Sequence, residues 1–158
     1  MSARRVAQFF AVAILVGGCT TDGGLVPEPP KAPSGGEPLL APIDQLKPDT
    51  TEASLFDWRS AGIPYVGVWA AEPAGCARID VDASYPTFAV VTVKTLRQGT
   101  LNCAIAAKPG TEPVDALCQA AGTATPRTFT FTLAGDNDLT ISEASTKAVA
   151  RYVRCRLP

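Results

Sequence analysis

The sequence predicts an all-β fold: a small closed antiparallel barrel or a sandwich, with one short N-terminal helix, after a disordered proline-rich tether. Three observations lead there. Short β-branched or alternating runs recur through the second half of the chain, separated by turn residues. Two of the turns set hairpins whose apolar residues fall on one face. Four cysteines can staple the domain expected over residues 56–158. Closure into a barrel is favoured because it removes exposed sheet edges.

The chain begins with the three parts of an export signal. Arg4 and Arg5 supply positive charge, residues 6–16 are apolar except for Gln8, and Gly17 and Gly18 are small. The apolar run is shorter than the ~20 residues needed to span a bilayer. Val16-Gly17-Gly18-Cys19 resembles the bacterial lipobox, an aliphatic residue and two small ones before a cysteine. The resemblance implies that residues 1–18 are removed and that the Cys19 thiol carries a diacylglycerol, so the membrane is a partner through a lipid anchor. In the lipoproteins that this stretch resembles, an Asp just after the cysteine favours the inner membrane; here Thr20 and Thr21 follow. The resemblance therefore implies the outer membrane as the address, on its periplasmic or surface face.

Residues 19–55 read as the tether. Seven of the chain's 14 prolines lie there, with the glycine pairs Gly23-Gly24 and Gly35-Gly36. Such a segment cannot bury enough apolar surface to offset its ordering entropy. Leu39, Leu40, Ile43 and Leu46 are read as scattered apolar residues in a coil. Residues 51–61 predict one short helix, capped by Thr50 or Thr51 and ended by Gly62, with Leu55 and Trp58 on one face. Its expected role is a lid on the end of the domain.

Strand patterns follow. Residues 64–70 form a short β-rich run containing Trp69, and residues 87–96 are the most β-branched stretch of the chain. In residues 128–133 Phe129, Phe131 and Leu133 alternate with threonines, and Leu139 and Ile141 continue the inward face. The last run, residues 149–157, places Val149, Val153, Cys155 and Leu157 on one side.

Folding about the turn at residues 108–113 pairs Ile105 with Ala116 and Cys103 with Cys118, which allows a disulfide. A three-residue turn, Gly135-Asp136-Asn137, pairs Leu133 with Leu139 and Phe131 with Ile141, with Asn137 expected in the left-handed region. With Cys19 lipidated, an even set of cysteines remains. Four cysteines allow three connectivities. The register selects Cys103–Cys118, and elimination leaves Cys76–Cys155.

Composition narrows the chemistry. The net charge is −1, which points away from nucleic acid, and there is no histidine. The usual general base, zinc ligand and Ser/His arrangement are therefore missing. Ser84, Ser142 and Ser145 have no base to activate them, and Glu72 and Glu112 have no carboxylate partner at a telling spacing. The close acidic pairs, Asp80 with Asp82 and Asp136 with Asp138, read as turn chemistry and not as a metal loop. Lys147, Arg151, Arg154 and Arg156 read as a solvated strand face, the sharper reading being contact with lipid headgroups or a polyanion. Trp69 reads as core. No catalytic residue, metal or cofactor is expected, and the chain is not expected to be an enzyme.

At Gly67-Val68-Trp69-Ala70, with Cys76 and Cys103 after it, the chain resembles a group of alphaproteobacterial envelope lipoproteins. Their domain is similar to the bacterial metalloprotease-inhibitor barrel, a short helix followed by a closed antiparallel sheet. The resemblance implies a different bridge, Cys76–Cys103. It also implies two functions to be weighed. One is a non-catalytic, tethered structural or interaction module whose partner is an envelope protein or polymer. The other is a protease inhibitor, which in that family works through a free N-terminal segment.

Overall fold

The computed structural model describes residues 37–120 and 122–158; the expected signal, Cys19 and the first part of the expected tether lie outside the described residues. Eight strands form a closed barrel in which every strand pairs antiparallel with its neighbour in sequence. They are β1 (Gly67–Ala70), β2 (Phe88–Val91), β3 (Thr95–Gln98), β4 (Leu101–Ile105), β5 (Val114–Ala120), β6 (Thr123–Ala134), β7 (Asp138–Glu143) and β8 (Val149–Arg154). β1 and β8 close the ring through the pairs Trp69–Arg154 and Ala70–Val153. The barrel expectation holds, and the sandwich alternative falls away.

Both hairpins form in the expected register. Cys103 faces Cys118 and Ile105 faces Ala116, while Leu133 faces Leu139 and Phe131 faces Ile141. A shift of one residue would turn every apolar side chain of these strands outward. At the second turn Gly135, not Asn137, takes the positive φ, +68°. Glycine carries no Cβ to oppose that conformation, so the asparagine is not needed for it. The β-branched stretch at residues 87–96 is not one strand but β2, a tight turn and the start of β3. The Thr92 hydroxyl accepts hydrogen bonds from the backbone N–H groups of Lys94 and Thr95, which reverses the chain there.

Period-two alternation fills the barrel. Trp69, Val91, Leu96, Val114, Phe129, Phe131, Leu139, Ile141 and Tyr152 are buried in one interior cluster, joined by the Cys103 and Cys118 side chains. Tyr65 stacks on Phe131 with ring centres 4.4 Å apart. Its hydroxyl donates to the carbonyl of Lys108 and accepts from the Lys108 N–H, at 2.8 and 2.7 Å. Both partners belong to the long β4–β5 loop, so Tyr65 plugs one end of the barrel and ties down the loop over it.

A second cluster lies outside the sheet. Leu40, Ala53, Val68, Ala70, Cys76, Ile79, Tyr85, Phe88, Val90 and Cys155 pack together on the outer faces of β1 and β2. Those two strands are therefore buried on both faces, which explains why their sequences read as continuous apolar runs. The cover is made by the N-terminal segment and by the 3-10 turn Pro73–Arg78.

This cover corrects the expected boundary at residue 55. Leu40 is buried and Leu46 packs on the outer cluster, whereas Ile43 is exposed. Leu39 bridges to Arg156 in parallel. The backbone N–H of Leu40 donates to the Arg156 carbonyl and that of Arg156 to the Pro38 carbonyl, both at 2.8 Å. Burying a leucine is worth roughly 1.5–3 kcal/mol, enough for Leu40 to dock against the entropy of ordering a few residues. The packed domain thus starts near residue 38.

The single expected helix is two: α1 (Pro48–Leu55) and α2 (Trp58–Ala61). Pro48 occupies the first turn of α1 and Lys47 its N-cap, so Thr50 is not the cap; it is buried inside the helix. The break falls at Phe56-Asp57, where the Asp57 carboxylate accepts from the Ser60 N–H and starts α2. Gly62 ends α2 in the left-handed region as expected, with φ +67°. The break separates Leu55 from Trp58, and Leu55 is left exposed. α1 packs along the outside of β1 and β2 and is not a lid on the barrel end.

Two disulfides form, Cys103–Cys118 across β4 and β5 and Cys76–Cys155 between the 3-10 turn and the residue after β8. These are the pairs that register and elimination predict. The pairing implied by the resemblance, Cys76–Cys103, does not form: Cys76 lies in the outer cluster and Cys103 in the barrel interior.

Candidate functional site

The basic C-terminal run does not behave as one solvated face. Lys147, Arg151 and Arg156 are exposed, but Arg154 is buried, only 8% exposed. Alternation explains this. Arg154 shares the inward parity of Ala150 and Tyr152 on β8 and arrives at the barrel end plugged by Tyr65. The expected inward parity, through Val149 and Val153, is therefore reversed: Ala150, Tyr152 and Arg154 turn inward, and Val149 is exposed.

At that end the Arg154 guanidinium is a hub. Its Nε donates to the carbonyl of Asp136 at 2.7 Å, Nη1 to Val66 at 3.1 Å and Nη2 to Pro64 at 2.6 Å. It joins the β6–β7 turn to the segment entering β1. The same group sits 4.0 Å from the ring centre of Trp69 and 4.6 Å from that of Trp58, which gives two cation–π contacts in a desolvated setting. Trp69 is fully buried, and its Nε1 donates to the Tyr65 carbonyl at 3.0 Å. Gly67 is required here: a Cβ at that position would stand 2.7 Å from Arg154 Nη1. Burial pushes the Arg154 pKa down to about 10, against the attraction of Asp136 and with the repulsion of Arg59 and Arg156. The side chain is still charged at neutral pH.

Beside this hub lies a pocket of about 370 Å³. Phe56, Trp58 and Leu157 give it apolar wall, and Arg59, Arg154, Arg156 and Asn137 give it polar wall. Arg59 stacks on Trp58 at 4.2 Å and pairs with Asp136 at 3.0 Å. Arg156 Nη2 donates to Asn137 Oδ1 at 3.0 Å. Asp136 and Asn137 therefore belong to this end of the barrel as well as to a turn.

A second charged cluster is structural. Arg97, on the outer face of β3, reaches Asp49 at 2.7 Å, and its Nη2 lies 2.9 Å from Asp80 Oδ1. Asp80 has a fully buried carboxylate, which also accepts from the Thr50 hydroxyl and the Lys47 N–H. Burial alone would raise the Asp80 pKa, but these hydrogen bonds and the Arg97 charge outweigh it and hold the acid below its usual range. Asp80 adopts φ +67°, a conformation that Asp tolerates. The network fastens α1 to the barrel wall.

The remaining candidates do not converge. Asp82 is occupied by Arg78 and by Ser84, away from the partners of Asp80. Ser145 donates to Glu143, which also pairs with Arg127 at 3.0 Å. Glu72 and Glu112 are exposed. Among the described residues no group of three or more acidic or cysteine side chains is placed to hold a metal. At the opposite end of the barrel Gln98 Nε2 donates to the Tyr152 hydroxyl at 2.8 Å, beside a cavity of only about 90 Å³.

The chain matches no family model, and neither the characterised proteins nor the solved structures compared with it gave a match.

Proposed function

We propose that the protein is a lipid-anchored outer-membrane protein whose barrel serves as a non-catalytic interaction module, with an envelope protein or polymer as its partner. The observation that carries this reading is the filled barrel. Tyr65, Trp69, Phe129, Phe131 and Tyr152 occupy the interior, the space in which barrels of this size hold a ligand. Recognition then falls to the outer surface and the loops. The two disulfides suit an oxidising compartment, and Cys19 supplies the anchor. The inhibitor reading has less support, because residues 38–40, the stretch entering the domain, are pinned to the chain's own C-terminal segment at Arg156.

Metabolic labelling with radioactive palmitate, followed by membrane fractionation, tests the anchor. The native chain is expected in the membrane fraction with label, and Cys19→Ser without label and largely released. A labelled Cys19→Ser chain would sink the reading. Titration against secreted metalloproteases tests the rest, with no inhibition expected at any ratio.

A further inference from the structure

We propose that the pocket beside Arg154 is an anion site that takes a phosphate group carried on a small organic molecule. Charge is the first argument. Three guanidinium groups line the pocket, and the nearby Asp136 carboxylate is engaged with Arg59. Asp57 is occupied in capping α2. Among the described residues no carboxylate lies within ion-pair distance of Arg154 or Arg156. Two positive charges, one of them more than nine-tenths buried, therefore face a single pocket with no carboxylate in ion-pair contact; the nearest, Asp136, pairs with Arg59 and acts on Arg154 only through space.

Donor capacity is the second argument. Arg154 directs three of its five N–H groups at carbonyls, leaving one on each terminal nitrogen. Arg156 makes one side-chain hydrogen bond, to a neutral amide. Guanidinium groups with spare N–H pairs match phosphate oxygens in bidentate fashion. Three backbone carbonyls and two indole rings hold the Arg154 fork before any ligand arrives, so little side-chain entropy remains to be lost on binding. Shape is the third argument. A pocket of about 370 Å³ is larger than a bare ion requires and lies in the range of small-molecule sites. Its apolar wall can cover the organic part of a phosphate ester.

The source of the phosphate is either a soluble ester or a phospholipid headgroup, and the test separates them. The chain's two tryptophans, Trp58 and Trp69, both contact Arg154, so intrinsic emission reports on this site alone. The full chain carrying Cys19→Ser is titrated with glycerol 3-phosphate, inorganic phosphate and glycerophosphoglycerol, against sodium chloride at matched ionic strength. A saturable change with at least one phosphate probe is expected. Arg156→Gln should weaken it about tenfold, the equivalent of one charge-assisted hydrogen bond. That side chain bonds only Asn137, and an unchanged far-UV spectrum verifies the fold. Leu117→Gln, on an exposed face of β5, should leave the titration unaltered. Tightest binding of the diester identifies a lipid headgroup and tightest binding of the monoester a soluble ester; inorganic phosphate binding more tightly than both overturns the proposal. A response no larger than that to chloride, or one that Arg156→Gln leaves intact, overturns the proposal.

Discussion

Replacing Arg154 with methionine removes the guanidinium and keeps an apolar stem of similar length. Three buried or half-buried carbonyls, at Asp136, Val66 and Pro64, then lose their donor. Hydrogen bonds to a charged group are worth roughly 1.5–3 kcal/mol each. Contacts with two indole rings add roughly 0.5–2 kcal/mol apiece. Against this stands the relief of the guanidinium's own desolvation, which is large because the group is buried. A buried acceptor left without its donor costs roughly 1–3 kcal/mol, so three such carbonyls, set against the relieved desolvation, give an expected net loss of about 3 kcal/mol. It is a large share of the roughly 5–15 kcal/mol that holds a domain together. Urea unfolding at neutral pH with the disulfides intact, followed by tryptophan emission, measures it directly. Arg154→Lys, which keeps the charge but cannot span three carbonyls, should recover less than half of the loss. A cost below about 1 kcal/mol for Arg154→Met, the range of an ordinary surface change, would refute the reading of Arg154 as the clasp of the barrel end.

Gly67→Ala should destabilise by about 1–3 kcal/mol, because φ there is +152°, which L side chains rarely adopt, and because its Cβ would meet Arg154 Nη1 at 2.7 Å; the same denaturation series reads it, and a neutral result would show that backbone and guanidinium both yield freely. Removing the Cys76–Cys155 bridge, with a sequence separation of 79, should cost about 4.5 kcal/mol, and removing Cys103–Cys118, with a separation of 15, about 3 kcal/mol; paired Cys→Ala variants give the order, and the reverse order would count against the loop-closure argument. Stability should be flat near neutral pH and fall in acid. Folding lowers the pKa values of Asp80 and Glu143 below their usual 3.8 and 4.5, so the unfolded chain binds protons first and stability drains away as pH falls below about 4.5. Asp80→Asn should flatten the acid limb and cost about 3 kcal/mol at neutral pH by leaving Asp49 as the one carboxylate on Arg97; an unchanged acid limb would remove Asp80 from the account.

Local patterns were strong enough to specify much of the barrel. Phe129, Phe131 and Leu133 alternate with threonine, and a three-residue turn can match them to Leu139 and Ile141 in only one register that keeps all of them inside. The same reasoning about faces put Cys103 opposite Cys118, and counting then placed Cys76 with Cys155. These features depend on period two and on residue order, which a sequence carries in full.

The tertiary structure alone decided what depends on meetings between distant segments. Leu40 looks like a stray apolar residue in a proline-rich stretch until the outer faces of β1 and β2 offer it a surface. Thr50 looks like a helix cap until Asp80 and Arg97, 30 and 47 residues away, recruit its hydroxyl. Arg154 looks like one of several solvated cations until the parity of β8 sends it to the barrel end, between Trp58 and Trp69. The sequence by itself determined the alternation of β6 and β7, the two hairpin registers and the Cys103–Cys118 pair, because each follows from segments close in the chain, and with those settled counting was enough to leave Cys76 for Cys155. Where the domain begins, which charges are buried and which arginines share a pocket depend on closure of the ring, which brings together groups that no local pattern connects.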